Sequence, residues 1–312
     1  MIKINKVSRR YGDCLAVNAV SCDISSGEIV GLLGHNGAGK TTIMKMLSGY
    51  LEPSAGAIEI AGIDLAEEPR AVQKILGYLP ENSPLYPDMS VADYLDYAAI
   101  LKGLEGQALR DSVRRAIRDT ELYGQLLHPI ATLSRGYKQR VGVAQAILGS
   151  PKVLILDEPT NGLDPNQTQH MRDLICALSQ TATVILSTHI MQEVDAICDR
   201  ALILHNGRLA LDENLSDLRA AGQLILKTNL AQDSVEKLLP AIATISTSSQ
   251  EAGKHEYRLT LAKGSEADSA AAAVAAAVLG ARGELYQLHT EIRDLESVFR
   301  EVNLQEGIAH AA

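Results

Sequence analysis

EIVGLLGHNGAGKTTIMKMLSG, Glu28 to Gly49, runs from a short apolar stretch through a glycine-rich turn into a helical pattern closed by Gly49. Its centre, GHNGAGKT (Gly34 to Thr41), matches G-x-x-x-x-G-K-[ST]. A strand before the motif and a helix after it are the context that separates a phosphate-binding loop from a turn merely rich in glycine. Glycines at Gly34, Gly37 and Gly39 let successive backbone N–H groups curl toward phosphate oxygens, which side chains there would obstruct. Lys40 supplies a point charge to the β- and γ-phosphates, and the Thr41 hydroxyl is placed to ligate Mg²⁺.

Outward from this loop, ILGYLPE, KVLILDEP and TVILSTH are further strand-like runs, each ending in a polar residue. They predict a parallel sheet with functional groups at the carboxyl ends of its strands, an α/β architecture. From Val91 to Leu148 the pattern is mainly helical, which predicts a helical subdomain, about residues 91–150, inserted between two strands. Within it, LSRGYKQRVGVAQAIL (Leu133 to Leu148) sets Val141, Ala144 and Leu148 on one side of a helix. Ser134 and Gly136 stand at its mouth with Arg135 and Lys138 beside them. A helix start exposes unpaired N–H groups and the positive end of the dipole, so this is an anion site in waiting.

VLILDEP carries a strand into two carboxylates. Asp157 is a candidate to hold Mg²⁺ and Glu158 to polarise an attacking water as general base, although such a pair also suits a solvated loop start or a helix cap. His189 ends TVILSTH, where an imidazole can donate to a γ-phosphate or simply pack. Tyr11, in RRYGD, offers a ring to stack on adenine or to pack at a turn.

Composition bounds the function. The chain has 312 residues, of which 46% are hydrophobic, enough for a real core and long enough for two unequal domains. With 29 basic against 38 acidic side chains, a net charge of −9, it lacks the basic excess that attraction to nucleic acid or anionic lipid needs. The N-terminus has no apolar signal region, no stretch approaches the length of a membrane span, and Ala270 to Leu279 reads as a helix interior. Cys14, Cys22, Cys176 and Cys198 are scattered without a CxxC pair, which fits reduced thiols in the cytosol and gives no metal-site spacing.

After Leu215 the runs QLILKTN, AQDSVEKLLPAI, ATISTS, KHEYRLTLA, SEADSAAAAVAAAVLGARG and ELYQLHT follow the order strand, helix, strand, strand, helix, strand. That is the ferredoxin-like pattern, an α+β domain over 216–312 beside a nucleotide-binding domain over 1–215. His255 and His289 read as ordinary strand residues. The tail places Leu295, Val298, Phe299 and Val302 on one helical stripe.

The ordered set of GHNGAGKT, LSRGYKQR, VLILDEP, NGLD and STH resembles the ATP-binding subunit of an ABC transporter over about residues 1–215. The resemblance implies a P-loop NTPase with an ABC-type helical subdomain, hydrolysing ATP with Mg²⁺ in a head-to-tail dimer. Nucleotide contacts are then implied for Tyr11, Gly34, Asn36, Gly37, Ala38, Gly39, Lys40, Thr41 and Thr42, with Glu158, His189 and Lys40 catalytic. Metal contacts fall to Thr41, Glu81 and Asp157. Ser134 and Gly136 would grip ATP held by the partner chain, and Asp164 of NGLD would reach across the interface. The chain departs from the family pattern in the signature, where Arg135 replaces a glycine, either facing solvent or adding a cation near phosphate, and Tyr137 replaces a glutamine, and at Glu81, which replaces a glutamine. With LPENSPLY, LSRGYKQR and LESVFREVN, these departures resemble the exporter subclass that includes gliding-motility-type and multidrug or copper-linked ATPases.

The implied partners are a separate transmembrane permease, on whose cytoplasmic face the chain would sit, and a second ATPase subunit, identical or paralogous. No nucleic acid is expected. An importer ATPase and an ABC-type ATPase acting on ribosomes or DNA are the competing expectations. The C-terminal domain is expected to be regulatory or dimer-stabilising, or else a packing extension.

Overall fold

Strands β1 (Ile2–Tyr11) and β2 (Cys14–Ile24) alternate buried and exposed residues and pair antiparallel as a hairpin, Tyr11 opposite Cys14 at its tip. Such alternation suits a sheet with one face on the core. The computed structural model describes residues 1–220, 223–239, 243–251, 254–261, 267–291, 295–296 and 298–299. Strand β3 (Ile29–Leu33), buried at every position, leads through the glycine loop into α1 (Lys40–Leu47). Strands β4 (Ala55–Ile60) and β5 (Ile63–Asp64) then complete an antiparallel sheet in the order β2-β1-β4-β5. This sheet was not anticipated, because its strands carry no chemical motif that marks them.

Helix α2 (Pro69–Ile75) and strand β6 (Leu76–Leu79) precede three helices, α3 (Val91–Leu101), α4 (Gly106–Asp119) and α5 (Arg135–Ile147). The chain then returns to β7 (Val153–Asp157), α6 (Pro165–Ser179), β8 (Thr183–Thr188), α7 (Met191–Ile197), β9 (Arg200–His205) and β10 (Arg208–Asn214). The expected helical subdomain is therefore an insertion between β6 and β7. The second sheet has the order β10-β9-β3-β8-β7-β6, with parallel pairing of β9 with β3, β3 with β8, β8 with β7 and β7 with β6. Strands β3, β7 and β8 are buried on both faces, which explains the apolar runs IVGLL, VLIL and VIL within them. This order puts the carboxyl ends of β3, β8 and β7 side by side.

The chain divides into two compact units, Met1–Glu213 and Asn214–Ala312. In the second, α8 (Leu215–Ala220) precedes β11 (Gln223–Thr228), α9 (Gln232–Leu238), β12 (Ala243–Glu251), β13 (Lys254–Leu261), α10 (Ala267–Gly280) and β14 (Leu285–Glu291). Its sheet has the order β12-β13-β11-β14 with every pair antiparallel, the ferredoxin-like topology expected from the element order. Leu224, Leu226, Val235, Tyr257, Leu259, Val274 and Val278 form its core. The Ala-rich run is the interior of α10, and His255 and His289 lie on β13 and β14. Leu295, Val298 and Phe299 are buried, while Val302 lies outside the described residues.

Candidate functional site

Gly39 caps the start of α1 at φ +106°, a left-handed conformation that glycine adopts freely. A Cβ on it would lie 2.7 Å from the Ala16 carbonyl on β2. The hairpin that carries Tyr11 is thus pressed onto the glycine loop, and a side chain at this position would force the two apart. Tyr11 is half-exposed, with the Arg9 guanidinium 5.0 Å from its ring centroid. Of the loop residues, Gly34 and Ala38 are buried, His35, Asn36 and Gly37 are exposed, and Thr41 and Thr42 are intermediate.

Lys40 is buried. Its Nζ donates to the Gly34 carbonyl at 2.7 Å and stands 4.0 Å from Glu158 Oε1. Glu158, one residue past the end of β7, takes a φ of +52°, unusual for a residue with a side chain. That turn aims its carboxylate at Lys40 on one side and at His189 on the other, where Nδ1 lies 3.0 Å from Oε2. Burial pushes the Glu158 carboxyl above its ordinary value of 4.5, while the His189 hydrogen bond and the Lys40 charge pull it back.

Asp157 is wholly buried at the end of β7. Its Oδ1 accepts from the Ser187 hydroxyl at 2.5 Å, whereas Oδ2 is buried without a hydrogen-bond partner. Asp157, Thr41 and Glu81 line one cavity of about 970 Å³. An orphaned carboxylate oxygen, a hydroxyl and a second carboxylate form an all-oxygen set that suits a hard divalent cation, so the residues present fit Mg²⁺.

Ser134 and Gly136 stand apart from this cluster, at the start of α5. Ser134 is the N-cap, its Oγ accepting from the Tyr137 N–H at 3.4 Å. Asp164 caps α6 in the same way, accepting from the Gln167 N–H at 2.9 Å. The two helix starts abut: a Cβ on Gly136 would lie 2.6 Å from Gln167 Oε1, and one on Gly162 would lie 2.3 Å from the Arg135 guanidinium carbon. The exposed Arg135 therefore lays its guanidinium over Gly162, in the Asn161–Asp164 turn.

Lys40, Asp157, Glu158 and His189 meet because β3, β7 and β8 are neighbours. Sequence reasoning missed Ser187, which bridges two of them. Its text, one serine in a strand that also holds Thr183 and Thr188, carries no distinguishing signal.

The ABC transporter family model matches residues 17–161. An uncharacterized ABC transporter ATP-binding protein of Bacillus subtilis is 33% identical over 236 residues, 76% of this chain and 78% of that one. A Nod factor export ATP-binding protein I of Burkholderia orbicola is 38% identical over 209 residues, 66% and 68% of the two chains. Among solved structures, a dimeric bacterial ABC transporter cassette superposes with a TM-score of 0.64 at 25% identity, over 69% of this chain and 99% of that one.

Proposed function

This chain belongs to the ABC transporter family of ATP-binding subunits, which are ATPases, and from that premise we propose that it drives export through separate membrane-spanning subunits. The supporting observation for the chemistry is that Glu158, just past β7, lies 4.0 Å from Lys40 at the start of α1 and 3.0 Å from His189, just past the neighbouring β8. Support for export is the 38% identity to a subunit named for exporting Nod factor.

The glycine loop, with Asn36, Ala38, Lys40 and Thr42, binds the phosphates of ATP, and Tyr11 stacks on its base. Thr41, Glu81 and Asp157 Oδ2 hold Mg²⁺, which when bound neutralises charge on the β- and γ-phosphate oxygens. His189 engages Oε2 of Glu158 and leaves Oε1 to take a proton from the attacking water. Burial favours this role, because a carboxyl raised above its ordinary value is a stronger base once ionised. Ser134 and Gly136 grip the γ-phosphate held by a second subunit, identical or paralogous, and Asp164 crosses the same interface. Binding closes the dimer, and hydrolysis removes the phosphate that bridges it. The work is done on a separate permease, at the cytoplasmic face of its membrane; no helix among the described residues is long and apolar enough to cross a membrane. The residues from 216 onward regulate or stabilise dimer closure.

The test is to purify tagged Glu158→Gln protein from detergent-solubilised membranes with ATP and Mg²⁺ and identify what accompanies it by mass spectrometry. A multi-span membrane subunit encoded without a solute-binding protein supports export. Co-purification of a solute-binding protein with the permease points to import, and recovery of only ribosomal or DNA-bound proteins removes the transport reading.

A further inference from the structure

Ser187 is fully buried on β8, opposite Asp157 in the parallel register of β7. Its hydroxyl donates to Asp157 Oδ1 at 2.5 Å and accepts from the Glu158 N–H at 3.0 Å, and that N–H also donates to the Ser187 carbonyl at 3.1 Å. One side chain therefore holds both carboxylates, one through its oxygen and one through its backbone. The three groups form a polarised chain, amide to hydroxyl to carboxylate, in which each bond strengthens the next in a dry interior.

We propose that Ser187 is the positioning residue of this site: it engages Oδ1 of Asp157, so that only Oδ2 is presented to the cavity, and it pins Glu158 in its left-handed turn. The left-handed backbone at Glu158 persists because bonds around it over-determine it. The proposal rests on the reading that Asp157 faces a divalent cation and Glu158 a water. Without the hydroxyl, Oδ1 joins Oδ2 as an unpaired buried oxygen, the carboxylate is free to rotate, and the Glu158 turn keeps only the carbonyl as acceptor. Metal affinity and proton abstraction then fail together, while the glycine loop, which makes no bond to Ser187, still binds nucleotide.

The experiment compares Ser187→Ala with the wild type in two ways: Mn²⁺ binding followed by electron paramagnetic resonance with a non-hydrolysable ATP analogue present, and steady-state kcat and KM for ATP. Ser187→Ala is expected to weaken Mn²⁺ binding and lower kcat each by about 10- to 100-fold, as loss of an outer-shell partner does, with KM little changed. Ser187→Thr, which keeps the hydroxyl on a frame suited to a strand, is expected to retain both. If Ser187→Ala does not fold, Ser187→Thr against Ser187→Val makes the same comparison at equal size, and equal Mn²⁺ affinity and kcat in that pair would overturn the proposal. So would wild-type Mn²⁺ affinity and kcat in Ser187→Ala beside an inactive Glu158→Gln, which would leave the catalytic assignments standing. Turnover that survives in Glu158→Gln would instead fault the underlying reading.

Discussion

His189 Nδ1 lies 3.0 Å from Glu158 Oε2, so the imidazole at the end of β8 supports the carboxylate at the end of β7. The bond favours the ionised carboxylate and opposes the larger effect of burial, which raises it. A general base acts only when ionised, so the acid limb of the kcat/KM profile is expected above pH 4.5. His189→Ala removes a lowering influence and should move that limb to still higher pH. A limb unmoved in His189→Ala would separate the two residues.

The same raised carboxyl bears on stability. The folded chain binds this proton more tightly than the unfolded chain, so the ionised form costs folding free energy above the folded pKa, and that cost fades as pH falls. Glu158→Gln should therefore melt at a higher temperature than the wild type near pH 7.5, with the gap narrowing on acidification. A gap that widens toward acid would reverse the sign and contradict the dominance of burial.

Lys40 is tied to the glycine loop through the Gly34 carbonyl and to Glu158 across 4.0 Å. In the wild type, ATP at a hundredfold excess over Kd should stabilise the fold by about 2.7 kcal/mol. Lys40→Ala should lose most of that shift in a thermal melt. An undiminished shift would remove Lys40 from the phosphate site.

Gly162 takes a φ of +73° beneath the Arg135 guanidinium. Gly162→Ala should cost about 1–2 kcal/mol from backbone alone, and more from the collision with Arg135. Adding Arg135→Gly should recover the second part, giving a non-additive cycle in chemical denaturation. Strict additivity would mean that the arginine does not rest on this turn.

The second unit has its own core, built from Leu224, Leu226, Tyr257, Leu259 and Val274. Removal of residues 223–312 should leave the first unit cooperatively folded and lower ATP turnover by roughly fivefold or more, the usual scale of coupling between sites. Unchanged turnover would make the second unit a passive extension.

Much of this was legible because the chemistry sits in short ordered motifs. The glycine loop, Asp157 and Glu158 could be named from GHNGAGKT and VLILDEP, since each terminates a strand whose unbroken apolar text marks it as central. The ferredoxin-like unit followed from element order, because adjacent helices and strands leave few ways to close four strands. Three features were not legible. The β1–β2 hairpin is defined by its pairing partner, which no local pattern states. Ser187 acts through contacts across 30 residues of chain, and its text differs from an ordinary strand serine in nothing. Arg135 could be seen to depart from the family pattern, but only the fold shows that Gly162 lies beneath it.

In the proposed cycle ATP closes two copies of this site head to tail, and hydrolysis at Glu158 opens them. Glu158→Gln protein should therefore be assayed by light scattering during size exclusion, with and without ATP and Mg²⁺, beside its ATPase rate. Hydrolysis should be slowed by roughly 10²- to 10⁴-fold, and a stable ATP-dependent dimer should form that Ser134→Arg prevents. A chain that stays monomeric with ATP bound, or one that hydrolyses ATP at the wild-type rate, would contradict it.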